Sequence, residues 1–253
     1  MTQATEDVNG GPNLHYSDGI AAARTMLALE GNAAALQRRL PTGWELTPYA
    51  GDDLRGTSLR GANMVVPFHE VYAVRNHQGQ PPAGLAQLSY IAFVSQARHQ
   101  ATGALGHVHW FTYTEDPTAV PGKYHDGTLA TITRSQTFTK QQRGQTQVRE
   151  SFSAVADSGQ VHLSLAYQQG GTMIWAIADQ PNLPLYAAKD PTVVRWYQED
   201  QVMDVVRSDP LGVSNVSEIS LDVRGELADV CDGNQRVVAV VIQRPYMRQV
   251  YVP

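Results

Sequence analysis

The stretch QVHLSLAYQ, residues 160–168, alternates large apolar side chains with small or polar ones. One face carries Val161, Leu163, Leu165 and Tyr167, and the other carries His162, Ser164 and Ala166. A period of two residues is typical of a β-strand that packs one face on a core and turns the other away. The stretch therefore predicts a half-buried strand.

Similar stretches, rich in β-branched and aromatic residues, occur on both sides of this strand. They are NMVVPFHEVYAV (63–74), AQLSYIAFV (86–94), GALGHVHWFTYT (103–114), GTLATITRSQTF (127–138), QVRESFSAV (147–155), TMIWAIA (172–178), SEISLDVRGELADV (217–230), QRVVAVVIQR (235–244) and MRQVYVP (247–253). Residues 191–208 are compatible with a helix or a strand. Many short strands without a βαβ rhythm predict an α+β fold with a mostly antiparallel β-sheet or barrel core.

Two short N-terminal helices are predicted before these strands. SDGIAAARTMLALEG, residues 17–31, combines a capping residue at its start with a terminal glycine. NAAALQRRLP, residues 32–41, is capped by Asn32 and ended by Pro41. Residues 1–16 are polar and predict a flexible tail, which leaves 17–253 as a single domain.

Composition narrows the functional class. The chain has 253 residues, 42% of them hydrophobic and 17% charged, with a net charge of −5. An acidic balance without a basic face argues against nucleic acid as a partner. The first residues lack the basic and apolar blocks of a signal peptide, and no apolar run is long enough to span a membrane. The single cysteine, Cys231, fits a reducing compartment, so we expect a cytoplasmic protein without membrane contacts. We also expect a homo-oligomer.

Three stretches together resemble the acetoacetate decarboxylase family. NAAALQRRLPTGWEL (32–46) is similar to the family's opening helix and first strand, VPFHEVYAV (66–74) to its Pro-Tyr-x-Glu strand, and VPGKY (120–124) to its Pro-Lys-Lys segment. The C-terminal WYQEDQVMDVV segment (196–206) and the strands after it resemble the family's tail. The resemblance implies a lyase-type enzyme acting on a carbonyl or keto-acid substrate without a cofactor.

The resemblance also implies roles for individual residues. Lys123 takes the place of the Schiff-base amine and Glu70 that of the acid or base. The side chains expected to position the substrate are Phe68, His109, Tyr113 and Arg134. Gly122 stands where the family carries a second lysine, and the segment before it has no counterpart of the family's Gly-Arg-Glu.

Lys123 has two interpretations. A neutral amine condenses with a carbonyl to an iminium, which accepts the electrons of a neighbouring bond as that bond breaks. A free lysine has a pKa near ~10.4, so burial or a nearby cation must lower it. Alternatively Lys123, which lies between Pro121-Gly122 and Asp126-Gly127, is an ordinary solvated loop residue.

Alternation also orients Glu70. It shares a face with Phe68 and Tyr72, whereas His69 falls on the opposite face. A carboxylate on an aromatic face favours the interior of a barrel, where it acts as an acid or base. An arginine-paired structural carboxylate is the alternative.

Two further functions remain open. His107 and His109 share one side of a strand with Phe111 and Tyr113, and Glu115 follows them. Imidazole and carboxylate ligands of this kind hold a divalent metal in cupin barrels, so a metal-dependent barrel enzyme is one alternative. A non-enzymatic module that binds a small molecule is the other.

Overall fold

A computed structural model describes most of the chain. The described residues are 13–51, 57–81, 87–120, 124, 127–141, 145–171, 173–178, 181 and 183–253. Lys123 and the first twelve residues of the predicted tail lie outside them. Within the described ranges, no helix is both long enough and apolar enough to cross a membrane.

The described ranges contain one helix and fifteen strands. The helix is α1 (Ala33–Arg39). The strands are β1 (His15–Glu30), β2 (Trp44–Leu46), β3 (Met64–Asn76), β4 (Leu88–His99), β5 (Leu105–Thr114), β6 (Gly127–Leu129), β7 (Thr131–Lys140), β8 (Thr146–Ala156), β9 (Gly159–Gln169), β10 (Met173–Ile177), β11 (Leu183–Ala187), β12 (Val194–Ser208), β13 (Val213–Ser214), β14 (Val216–Gly225) and β15 (Arg236–Val252). Residues 191–208, compatible with either element in the sequence, therefore form mostly strand.

Seven strands close into a barrel in the order β4-β3-β1-β15-β12-β11-β5, and β5 pairs again with β4. Most neighbouring strands are antiparallel, but β5 pairs in parallel with both β11 and β6. Closing the sheet leaves these seven strands with neighbours on both sides and creates an interior. The predicted barrel is confirmed, and its antiparallel character is confirmed in part.

The predicted helix over residues 17–31 is wrong, because these residues form β1. β1 pairs with β15 along one edge and with β3 along the other. Both of its faces are buried, so the sequence shows a continuous apolar run instead of alternation. Alanine, leucine and methionine favour a helix locally, but pairing with two long neighbours outweighs that preference.

The second predicted helix is confirmed as α1. The side chain of Asn32 accepts a hydrogen bond from the backbone N–H of Ala35 at 3.1 Å. Leu40 has an extended backbone and precedes Pro41, so the helix ends there. Of the two predicted helices, only this one is present.

A second, four-stranded antiparallel sheet, β14-β9-β8-β7, covers part of the outside of the barrel. The predicted apolar face of β9 is buried, with Val161, Leu163 and Tyr167 fully shielded from solvent. Phe152 of this sheet packs on Phe68 of the barrel with ring centroids 5.2 Å apart. Some barrel strands are therefore buried on both faces. Side chains on one face of such a strand point into the barrel, and those on the other face point towards the second sheet.

Candidate active site

The barrel encloses a cavity of about 90 Å³. Its walls are mostly apolar and aromatic, with a small set of buried polar groups. The lining residues that carry the argument below are Arg24, His69, His109, Tyr124, Glu199 and Arg248. Apolar walls with a few convergent polar groups are typical of a small-molecule site.

Arg24 of β1 is held by side chains of β12 and β15, two strands that pair with each other. Its guanidinium pairs with Glu199 of β12 at 3.5 Å and donates to Gln201 at 3.3 Å. The same group donates to Gln243 and lies 3.7 Å above the ring of Tyr246. The charge of Arg24 is therefore balanced by a carboxylate, and its orientation is fixed.

Arg248 of β15 is also buried, but its surroundings are aromatic. Nη2 donates to the hydroxyl of Tyr90 at 3.3 Å, and the guanidinium lies 4.2 Å above the ring of Tyr197. Its Nε atom is buried without a hydrogen-bond partner. In contrast to the contact of Arg24 with Glu199, the contacts that hold Arg248 are with tyrosine side chains.

His69 of β3 lies within reach of the charges of both arginines. Its ring stacks on Tyr90 at a centroid distance of 4.2 Å, and neither ring nitrogen has a hydrogen-bond partner among the described residues. Burial, and then the positive charges of Arg24 and Arg248, hold the pKa of His69 well below its usual range. At neutral pH this imidazole is uncharged and able to accept a hydrogen bond.

A second stacked pair involves β5, which lies on the other side of β4 from β3. His109 of β5 stacks on Tyr124 at 4.4 Å, and its Nε2 atom lies 2.7 Å from the hydroxyl of Thr112. The hydroxyls of Tyr124 and Tyr197 share a hydrogen bond. Burial raises the pKa of Tyr197 to about 12 and holds the pKa of Tyr124 well above its usual value, so both phenols keep their protons. His109 is the one predicted substrate-positioning residue that lines the cavity.

Glu70, Phe68 and Arg134 lie outside the barrel instead of inside it. The predicted alternation along β3 is correct, but the cavity is on the face of His69. Glu70, whose side chain is 41% exposed, pairs with Arg134 of the second sheet. The aromatic face of β3 that was expected to line the interior packs against this sheet, which makes Glu70 an arginine-paired structural carboxylate.

Tyr113 is displaced from the cavity by a β-bulge. β4 and β5 pair Phe93 with Phe111 and then Val94 with His109, so Trp110 is an extra residue. Trp110 and Phe111 therefore both point into the core outside the barrel. Beyond the bulge the alternation is reversed, so Tyr113 does not share a side with His109 as the sequence predicted.

The three ligands of the metal alternative do not converge. His107 and His109 both line the cavity, but Glu115 lies past the end of β5 and its carboxylate accepts the backbone N–H of Ser89 at 2.7 Å. In the described part of the chain, no three His, Cys, Asp or Glu side chains are grouped so as to hold a metal ion.

Several lining residues were missed by the sequence analysis, namely Arg24, His69, Tyr90, Tyr197 and Arg248. One signal was present: Arg24 and Arg248 are single arginines inside largely apolar runs. A long charged side chain in such a run needs either solvent or a polar interior. The sequence does not distinguish these two cases.

Comparisons with known proteins show the fold alone. No family model matches this chain, and no curated protein matches it. Among solved structures, it is similar to an acetoacetate decarboxylase-like enzyme from Sphingomonas wittichii RW1, with a TM-score of 0.54 and 14% identity over 94% of this chain and 90% of that one. It is also similar to the enduracididine biosynthesis enzyme MppR complexed with pyruvate, with a TM-score of 0.53 and 12% identity over 94% of this chain and 88% of that one. The chain therefore has an acetoacetate decarboxylase-like fold.

Proposed function

We propose that this protein is a lyase-type enzyme that acts on a small carbonyl compound, a keto acid, inside the barrel cavity. The observation that carries the proposal is the cavity itself, which combines apolar walls with buried histidine, tyrosine and arginine side chains. Such a site excludes water, presents proton donors and acceptors, and places positive charge beside the ligand. The solved structure of MppR with pyruvate shows that a protein of similar fold takes up a keto acid.

Lys123 is the proposed Schiff-base amine. The residues that bracket it in the sequence, Val120 and Tyr124, both line the cavity. In the proposed reaction the amine adds to the substrate carbonyl and water leaves, forming an iminium. In a β-keto acid the bond between the α-carbon and the carboxylate then breaks, carbon dioxide leaves, and the electron pair of that bond moves into the iminium to form an enamine. A proton then adds to the enamine α-carbon. Hydrolysis returns the amine and releases the product.

The amine has to lose its proton, and the chain has no second lysine beside Lys123. Arg24 and Arg248 are the proposed substitute, because their charges reach the cavity and already lower the pKa of His69. Burial in the same apolar surroundings acts in the same direction on an amine. These two effects together replace the neighbouring lysine of the family.

The proposed acid–base groups are His69 and His109, not Glu70. His69 is uncharged, so its ring accepts a hydrogen bond from the ligand or from water. The phenols of Tyr124 and Tyr197 keep their protons and donate hydrogen bonds to oxygen atoms of the ligand. Glu70 is occupied by Arg134 outside the barrel.

Borohydride trapping tests this proposal. The protein is incubated with pyruvate or acetoacetate, reduced, digested and analysed by mass spectrometry. We expect a reduced adduct on Lys123 and its loss in Lys123→Ala. The chain has only two other lysines, so Lys140→Ala and Lys189→Ala are matched controls that should keep the adduct. The absence of a reduced adduct, together with full substrate turnover by Lys123→Ala, would refute the Schiff base. Ligand binding without turnover would indicate a binding module.

A further inference from the structure

The side chains that line the cavity change from polar to apolar along the barrel. Arg24 of β1, His69 of β3 and Tyr90 of β4 are direct neighbours across three adjacent strands, because Arg24 is paired with His69 and His69 with Tyr90. All three residues line the cavity. Their side chains form its polar end.

Further along the same three strands the lining is aliphatic. Val65 of β3 is paired with Val94 of β4, and Met26 of β1 lies two residues beyond Arg24. Four residues of extended strand separate His69 from Val65, which corresponds to about 13 Å. Met26, Val65 and Val94 all line the cavity. A ligand that extends along these strands therefore passes from polar side chains to aliphatic ones.

Two leucines complete the apolar end. Leu59 and Leu185 also line the cavity, and they belong to one buried hydrophobic cluster with Met26, Val65 and Val94. We call these five side chains the aliphatic compartment. Because all of them are buried, an alkyl group that enters the compartment leaves water and gains dispersion contacts with the surrounding side chains.

His107 of β5 lies beyond the two valines. It is paired with Gln96, which follows Val94 by two residues on β4, and it lines the cavity. Burial lowers the pKa of His107 to about 4, so its ring carries no charge at neutral pH that would oppose an apolar group. Its Nδ1 atom is buried without a hydrogen-bond partner among the described residues. A polar chain end is therefore the alternative that an experiment has to exclude.

We propose that the aliphatic compartment holds the chain on the substrate carbonyl, and that the enzyme prefers 3-oxo acids with a chain of about three carbons over acetoacetate. A cavity needs about 10–15 Å³ for each water-sized group, so a volume of about 90 Å³ accommodates roughly six to nine non-hydrogen atoms. 3-Oxohexanoate has nine such atoms. Loss of its carboxylate as carbon dioxide, with uptake of one proton, gives 2-pentanone, which has six. The proposal rests on the site described under Proposed function and adds its chain-length selectivity.

Binding of ketones tests the compartment without the chemistry. It is measured by calorimetry in Lys123→Ala, in which no Schiff base can form at this position. We expect 2-pentanone to bind at least about tenfold more tightly than acetone, because two more methylene groups are buried. 2-Nonanone, with ten non-hydrogen atoms, should bind no more tightly than 2-pentanone.

Three results of these titrations would overturn the proposal. Equal affinity of acetone and 2-pentanone would show that no compartment takes up the chain. An unbroken increase in affinity up to 2-nonanone would show that the chain is not enclosed. Tighter binding of 5-hydroxy-2-pentanone than of 2-pentanone would show that His107 holds a polar chain end.

Two variants assign the compartment to its residues. Val94→Phe should fill the compartment, so that acetone and 2-pentanone bind about equally. Val155→Phe is the matched control, because Val155 lies on the second sheet and is 50% exposed, and it should keep the tenfold difference. Leu59→Ala should enlarge the compartment and raise the affinity for 2-nonanone at least about tenfold. An unchanged preference in Val94→Phe would refute the assignment, and if Val94→Phe does not fold, unchanged 2-nonanone affinity in Leu59→Ala would do so.

Turnover by the wild-type protein separates this proposal from the one on which it rests. We expect kcat/KM to be at least about tenfold higher for 3-oxohexanoate than for acetoacetate. Equal kcat/KM values, with a reduced adduct on Lys123 from both acids, would leave the enzyme proposal intact and remove the chain-length selectivity. Ketone binding that depends on chain length and on Val94, without any adduct on Lys123, would do the reverse.

Discussion

Arg134 and Glu150 form an ion pair at 2.9 Å in which the glutamate side chain is completely buried. Both belong to the second sheet, but Glu150 also accepts hydrogen bonds from Thr25 of β1 and Arg244 of β15. Arg134 in turn pairs with Glu70 of β3. This network joins the second sheet to the barrel by polar contacts within an otherwise apolar interface.

Glu150→Gln should therefore destabilise the protein by about 3 kcal/mol, because it leaves the buried guanidinium of Arg134 and the partly exposed one of Arg244 without their shared counter-ion. Chemical denaturation measures the change. Adding Arg134→Met should recover part of the loss. Glu218→Gln is the control, since its pair with Arg149 is exposed and should contribute less than about 1 kcal/mol. Equal effects of Glu150→Gln and Glu218→Gln would contradict the prediction.

Gly225→Ala should be much more destabilising than Gly79→Ala. Both glycines have a positive φ, +79° and +74°, so each substitution carries a backbone strain of about 1–2 kcal/mol. At Gly225 the added Cβ would also lie 2.2 Å from the carbonyl oxygen of Ser158, whereas at Gly79 no atom lies within 4 Å. The difference in melting temperature between the two variants measures the effect of the clash, because both variants carry the backbone strain. Similar melting temperatures would show that the turn between β8 and β9, which contains Ser158, moves away from the end of β14 without loss of stability.

Cys231 should be almost unreactive in the folded protein. Burial, followed by the charges of Asp232 and Asp229, raises the pKa of its thiol to about 12. At pH 8 the thiolate fraction is then on the order of 10⁻⁴, far below that of a free cysteine. Iodoacetamide should label it slowly under native conditions and rapidly in denaturant. Rapid labelling of the native protein would show that the segment around Cys231 opens readily.

Acidification should destabilise the protein between about pH 6.5 and pH 4. Burial lowers the pKa of His107 from 6.5 to about 4, so the unfolded chain binds a proton that the folded protein does not. Stability from this group is complete above pH 6.5, falls as the pH drops towards 4, and changes no further below that. The total loss is up to about 3 kcal/mol. His69, whose pKa is also lowered, adds to it.

Denaturation at a series of pH values in His107→Gln measures this contribution. The variant should show a shallower decline between pH 6.5 and 4, whereas His77→Gln, at an exposed turn, should follow the wild type. An unchanged slope in His107→Gln would mean that His107 is protonated in the folded state at the same pH as in the unfolded chain.

Much of the fold was predictable, because strand formation depends on local features. Alternation and β-branched residues identified β3, β5, β8, β9 and β15, and the Asn32 cap identified α1. The candidate site was predicted less well. His109 was expected at the site and lines the cavity, but the alternation that paired it with Tyr113 was broken by the bulge at Trp110.

The sequence by itself determined which residues form most of the strands and which residues of β3 share a face. Only the tertiary structure decided which face of β3 meets the cavity. Both faces of β3 carry mostly apolar side chains, and the second sheet covers the face that points away from the cavity. It also decided that residues 17–31 form a strand, since β1 is stabilised by pairing with strands distant in sequence. The difference between Arg24 and Arg248 has the same origin, because the carboxylate that neutralises Arg24 lies 175 residues away in the chain.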